Sequence, residues 1–325
     1  MHCYFAPMEG ITGYLYRNAH HEFFDHIDKY FTPFLVPNQT MKFASKELRD
    51  VLPEHNRGMR VIPQILTNRA DYFLCAAEAL EQLGYEEINL NLGCPSGTVV
   101  SKNKGSGFLA QRDELNRFLE TIFNGLDQNR SERKLSVKTR LGKDDPEEFY
   151  PLLSIFNQYP MEELIIHPRI QKDYYKNKPR LEIFKDAITL SKNPICYNGD
   201  IFTACDAKKF MEEFPGVDRV MCGRGLIANP GLVDTIREGK DLDKQCLKDF
   251  HDAVYHGYQE VLSGDRNVLF KMKELWFYLI CVFSDADRYA KKIKKSEHFC
   301  DYEQAVERLF AEQDMVKNAG FRANR

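Results

Sequence analysis

From its first residues to about position 238 the chain alternates short β-branched runs with amphipathic stretches of helical length, about eight times over. No other property of the sequence limits the possible architectures as much. The runs Cys3–Ala6, Phe31–Val36, Val61–Leu66, Glu87–Leu92, Leu135–Arg140, Leu164–His167, Pro194–Tyr197 and Arg219–Cys222 are predicted strands. Between them Arg69–Leu83, Arg112–Gly125, Glu147–Gln158 and Thr203–Phe214 are predicted helices. Asp71 and Asp113 stand in N-cap or first-turn positions, and Gly84 and Gly125 stand as stops. Eight such repeats are what a (β/α)8 TIM barrel requires, whereas a doubly wound sheet normally uses about five or six strands.

After Lys240 the pattern changes. Only helical periodicity remains, at Gln245–Val261, Phe270–Phe283, Ala286–Ile293 and Tyr302–Ala311, which reads as a small bundle. The expected organisation is therefore a barrel domain over 1–240 and a helical domain over 241–325. Lys+Arg 45 against Asp+Glu 48 leaves a net charge of -3, so any nucleic-acid site must be a local patch. The nine cysteines include no C-x-x-C pair, which argues against a zinc ribbon or an iron–sulfur cluster and leaves no metal site expected. Free thiols in that number suit a reducing cytosol. The N-terminus shows no signal peptide, and the longest apolar run, near Tyr278–Phe283, is too short to span a bilayer. A cytoplasmic monomer is expected.

A barrel enzyme places its chemistry at the C-terminal ends of its strands. Most of the predicted ends carry an amide, cation, thiol or imidazole directly after an apolar run. The turns Asn198-Gly199-Asp200 and Gly223-Arg224-Gly225 follow strands 7 and 8, where barrels usually hold a phosphate such as that of FMN, and Arg224 adds a planar charged fork. Lys138 faces either solvent or the barrel interior; in the interior it needs a negative partner, and a reduced flavin is one. Gln64 is either a hydrogen-bond donor to the rim of that ring or an amide at an exposed strand end. Cys94, between Gly93 and Pro95, projects from a tight loop as a general acid or a nucleophile. His167 is either a ring-orienting donor or a core histidine.

The run Ala6-Pro7-Met8-Glu9-Gly10-Ile11-Thr12, followed by Asn89-Leu90-Asn91-Leu92-Gly93-Cys94-Pro95, Lys138-Thr139-Arg140, Asn198-Gly199-Asp200 and Gly223-Arg224-Gly225, resembles the tRNA-dihydrouridine synthase family. The resemblance covers the barrel in order and reaches into the helical tail. It implies an FMN-binding barrel followed by a helical domain that grips tRNA. Pro7 and Met8 would line the flavin, with Gln64, Lys138 and His167 in contact with it. Asn198, Gly199, Asp200, Gly223 and Arg224 would hold the phosphate. Cys94 would take the catalytic-cysteine place, with Asn91 and Arg140 meeting the uracil. Two positions depart from the family pattern: Gly13 stands where an acidic residue often closes the first motif, and Pro168-Arg169-Ile170-Gln171 replaces the commoner Gly-Arg-Thr after the histidine.

The activity implied is reduction of tRNA uridine to 5,6-dihydrouridine, with NADPH or NADH as reductant and Cys94 as the acid at C5. Extruding a stacked base costs a few kcal/mol, which backbone contacts must supply. Lys102, Lys104, Lys172, Lys176, Lys178, Arg180 and the Lys291–Lys295 cluster are the candidate cations, and Tyr174 and Tyr175 can stack on bases. The competing readings are a flavin barrel reducing a free small molecule, dihydroorotate dehydrogenase-like or ene-reductase-like, and a non-catalytic tRNA-binding module.

Overall fold

The computed structural model describes residues 1–38, 43–128 and 133–322. Eight strands, β1 (His2–Phe5), β2 (Lys29–Leu35), β3 (Val61–Ile65), β4 (Glu87–Leu92), β5 (Lys134–Gly142), β6 (Leu164–Ile170), β7 (Ile195–Tyr197) and β8 (Arg219–Cys222), close a barrel in sequence order. Neighbouring strands pair in parallel, as the strand–helix alternation requires. The predicted TIM barrel is therefore what the chain forms.

Two compact units emerge from the contacts. The first takes Met1–Pro7, Lys29–Gly199 and Phe214–Met221; the second takes Met8–Asp28, Asp200–Glu213 and Cys222–Arg325. In the first, helix Ala70–Gln82 buries Phe73, Ala76, Ala77 and Leu80, a stripe at three- and four-residue spacing. Helix Arg112–Gln128 runs past Gly125, which is not the stop the sequence suggested. The reason is packing: a Cβ on Gly125 would lie 2.8 Å from a methyl of Leu74. The glycine is a contact point between two helices rather than a cap.

Helix Phe149–Phe156 is shorter than the predicted Glu147–Gln158 because a 3-10 turn, Pro146–Glu148, precedes it. Asp145 accepts the Glu147 N–H at 2.9 Å, and the Glu148 carboxylate takes the N–H groups of Lys143, Asp144 and Asp145. These bonds satisfy N–H groups at the helix entry that have no intrahelical acceptor.

The barrel interior is layered. Tyr4 on β1 donates to Glu163, which precedes β6, at 2.7 Å, and Lys29 on β2 donates to Glu87 and Glu163 at 2.8 Å each. Bonds between non-adjacent strands must cross the barrel, so these side chains form a charged floor. Next to it lie the apolar side chains of Tyr4, Ala6, Phe31, Ile62, Ile165 and Met221, with Cys196.

In the second unit, helices Lys244–Val261, Asp265–Leu279, Asp287–Lys295 and Phe299–Glu312 match the four predicted ones, with the second shifted toward the N-terminus. Asp243 caps the first by accepting the Cys246 N–H at 2.8 Å. The core holds a buried polar triangle. Trp276 Nε1–H donates to the Tyr302 hydroxyl at 2.8 Å, leaving that hydroxyl to donate to His251 Nε2 at 2.6 Å. His251 Nδ1–H then faces Asp252 at 2.8 Å. Among the described residues, no helix is long and apolar enough to cross a membrane.

Candidate active site

The loop after β4 is held from several sides, and its restraints explain where Cys94 stands. Asn91 Oδ1 accepts the N–H groups of Gly93 and Cys94 at 3.0 and 2.9 Å. Arg140 Nε donates to the Gly93 carbonyl at 3.0 Å, and Gln171 Nε2 to that of Pro95 at 3.1 Å. Ser106 takes the Cys94 carbonyl with both its N–H, 3.1 Å, and its hydroxyl, 2.8 Å. Gly105, at φ +56°, passes so close that a Cβ would lie 2.8 Å from that same carbonyl oxygen. The Cys94 side chain is half-buried on this pinned loop.

Behind the loop runs a line of side-chain amides. Asn91 Nδ2 donates to Gln64 Oε1 at 2.7 Å, Gln64 Nε2 to Asn89 Oδ1 at 2.8 Å, and Asn89 Nδ2 to Ser136 Oγ at 2.9 Å. Gln64 is wholly buried, which removes the reading of an amide at an exposed strand end. Lys138 pairs in register with Asn91. Burial, followed by repulsion from Arg140, pushes its ammonium down to about 8, and the nearby Cys196 and Cys94 offset only part of that. Among the described residues, no carboxylate is among the charges acting on it.

Arg140 is fully buried and spends its guanidinium on three backbone carbonyls. Besides Gly93 these belong to Ile170 and Tyr174, each at 2.9 Å. Burial lowers its pKa to about 10. β6 extends to Ile170, beyond its predicted end, so His167 and Arg169 project from the strand itself. Arg169 Nη1 lies 2.9 Å from His167 Nε2. A guanidinium can only donate, so this bond requires an unprotonated Nε2 and places the imidazole proton on Nδ1. Tyr175 packs against both the Arg140 guanidinium, 5.5 Å, and the His167 ring, 6.0 Å.

The first unit thus gathers Gln64, Asn91, Cys94, Lys138, Arg140 and His167. It also holds Pro7, half-buried after β1, and Asn198, whose Nδ2 ties β7 to the Met221 carbonyl at 2.8 Å. Gly199 leaves the space that the Tyr197 hydroxyl fills. In the second unit, Met8 begins a turn in which its N–H meets Thr12 Oγ1 at 2.8 Å. Gly223 precedes the short helix Arg224–Ala228. Arg224 pairs with Asp200 at 2.7 Å, its guanidinium 5.1 and 5.2 Å from the rings of Phe202 and Phe321.

The basic residues divide. Lys102, Lys176 and Lys178 are exposed, as are the four lysines of helix Asp287–Lys295. Lys104 is half-buried, and burial lowers its pKa. Arg180 is bonded to the buried Asp173, and Lys172 pairs with Asp144 at 2.8 Å. Tyr174 and Tyr175 are each 42% exposed.

Asn89 and Arg169 stood within the runs read from the sequence but were given no role there, and Ser136 was not singled out. The available signal was the alternation Glu87-Ile-Asn89-Leu-Asn91-Leu, in which every second residue of a buried strand is polar.

A family model described as dihydrouridine synthase matches residues 4–319. A probable tRNA-dihydrouridine synthase of Staphylococcus aureus (strain COL) is 29% identical over 267 residues, 78% of this chain and 77% of the relative. A tRNA-dihydrouridine(16) synthase of Shewanella oneidensis is 26% identical over 298 residues, 89% of this chain and 92% of the relative. Among solved structures, morphinone reductase in complex with tetrahydroNAD shares the fold, with TM-score 0.53 at 11% identity over 75% of this chain and 89% of that one.

Proposed function

The chain belongs to the dihydrouridine synthase family, and from that premise we propose that it reduces uridines in tRNA to 5,6-dihydrouridine. The observation that carries this reading is the half-buried Cys94, fixed on a loop with a recessed Lys138 in the same unit whose charge is only partly offset. Cys94 is the general acid. As C6 of the uracil gains hydride, C5 becomes carbanion-like, and the thiol supplies a proton there, a contribution of typically about 10²–10⁴-fold. Arg140 and Asn91, occupied by backbone groups, hold the loops that frame the base.

FMN is the proposed cofactor, and the residues suit it: a recessed cation with no facing carboxylate among the described residues is a place where a ring that becomes negative on reduction is stabilised. A bound flavin would supply the hydride, renewed by NADPH. Lys138 and His167 would contact its ring and Pro7 and Met8 would line it, while Gln64, wholly buried with its amide spent on Asn91 and Asn89, would support them from within. Asn198, Gly199, Asp200, Gly223 and Arg224 would hold its phosphate. His167, carrying its proton on Nδ1, offers a donor rather than a charge. Lys102, Lys104 and Lys176 would meet RNA phosphates, with Arg180 ordering the segment that presents Lys176. Residues 241–325 would add a second RNA-gripping surface through Lys291–Lys295. The enzyme would work as a cytoplasmic monomer.

The test is incubation of the purified protein with unmodified tRNA transcripts and NADPH, followed by nucleoside mass spectrometry. Conversion of uridine to dihydrouridine is expected at defined positions. No conversion of tRNA, with reduction of free uracil derivatives instead, would move the protein to the small-molecule flavin barrels.

A further inference from the structure

We propose that Asn89 and Ser136 are positioning residues for Cys94, acting through a hydrogen-bond relay whose direction is fixed from the Cys94 end. The Cys94 end is set by the backbone. Two N–H groups, of Gly93 and Cys94, reach one side of the Asn91 side chain, so that side must be its oxygen. Its nitrogen then faces Gln64, which must answer with Oε1. Gln64 Nε2 in turn requires Asn89 Oδ1, and Asn89 Nδ2 requires the lone pair of Ser136 Oγ. Ser136 is left to donate, and its hydroxyl lies 3.5 Å from the Ile88 carbonyl; it is also one of the influences that draw the Glu87 carboxyl back from the rise that burial imposes. Glu87 is itself bonded to Lys29 in the charged floor.

Each amide therefore has one orientation, and reversing any of them breaks a bond at both neighbours. Gln64, Asn89 and Ser136 occupy adjacent register positions on β3, β4 and β5, which holds the relay at one level of the barrel. Without an acceptor at position 89, Gln64 Nε2 is left buried and unsatisfied, and the side chain shifts toward another acceptor. That loosens the hold of its Oε1 on Asn91 Nδ2, and with it the seating of the Asn91 oxygen that takes the N–H groups of Gly93 and Cys94. The relay rests on the reading of Cys94 as the acid only for its catalytic consequence; its effect on the thiol is independent of it.

The experiment compares Asn89→Leu, Asn89→Asp and Ser136→Ala with Val137→Ala, a core substitution on the same strand that serves as a control for general loosening. Asp at 89 presents an oxygen to Gln64 in either protonation state, so it preserves the Cys94 end. Iodoacetamide modification of the Cys94 peptide is followed by mass spectrometry across pH, and kcat and KM are measured with tRNA. Asn89→Leu is expected to raise the modification rate at least about three-fold and to lower kcat about ten-fold, with KM within about two-fold. Asn89→Asp is expected to restore both, and Val137→Ala to leave both unchanged. If Asn89→Leu does not fold, Ser136→Ala carries the test, with a smaller change in the same direction. Equal modification rates in Asn89→Leu and Val137→Ala, or an Asp variant as altered as the Leu one, would overturn the relay. An altered thiol rate with kcat intact would support the relay and defeat the assignment of Cys94 as acid.

Discussion

Replacing Lys138 with Met isolates the energetic cost of a recessed cation. Its ammonium titrates at about 8 in the fold against an ordinary 10.5, chiefly because burial disfavours charge. At 1.36 kcal/mol per pH unit that depression corresponds to about 3 kcal/mol. Partial access to solvent reduces the figure, and about 1–3 kcal/mol is expected. The sign follows from proton uptake. Between pH 8 and 10.5 the unfolded chain holds the proton and the folded chain has lost it, so stability rises with pH across that window; below pH 8 both hold it and the full cost applies. Met is similar in length and carries no charge. The protein stripped of bound small molecules should therefore melt about 1–5 °C higher as Lys138→Met than as wild type at pH 7. The gap should close as pH is raised toward 10.5. The assay is thermal unfolding followed by circular dichroism across that range. A variant that melts lower at pH 7, or a gap that ignores pH, would refute the placement of an only partly offset cation there. In the same variant, FMN affinity should fall, because stability and cofactor retention pull in opposite directions at this position.

Cys94→Ala should cut dihydrouridine formation by about 10²–10⁴-fold, measured by nucleoside mass spectrometry, while leaving FMN reduction by NADPH intact. Arg140→Lys cannot reach three carbonyls at once, and leaving two of them without donors should cost about 2–5 kcal/mol in urea unfolding. The same variant should become sensitive to proteolysis near Tyr174. Activity on tRNA should fall steeply with added salt, since each neutralised phosphate releases counterions; a flat response would mean that the exposed lysines do not hold the RNA.

Much of the fold is legible because parallel strands covered by helices leave a coarse signal. Val61–Leu66, Glu87–Leu92 and Arg219–Cys222 were predicted within a residue of their observed ends. Gly125 misled because a glycine that ends a helix and one that lets two helices touch look alike in one dimension. The ends of β5 and β6 were missed because pairing of Arg140 with His167 and of Gly142 with Ile170 carries the ladder through a proline. At the site, residues in the loops and strand ends stood out, while Asn89 and Ser136 did not, since their importance lies in partners on other strands. The alternation in β4 nevertheless held the clue. Its outer face is committed to helices, so its polar residues had to point inward.

The charged floor of Lys29, Glu87, Glu163 and Tyr4 bears on how the barrel chooses its own closure. Side chains alternate between the two faces of a strand, so sliding β2 or β4 by a single residue would drive an ion among the helix-facing leucines and phenylalanines. A solitary charge there forfeits its hydration with nothing in return, a penalty of several kcal/mol. Staggered closures that apolar strands alone would tolerate are thereby disfavoured, and the ring of eight is keyed like a lock by four residues far from the chemistry.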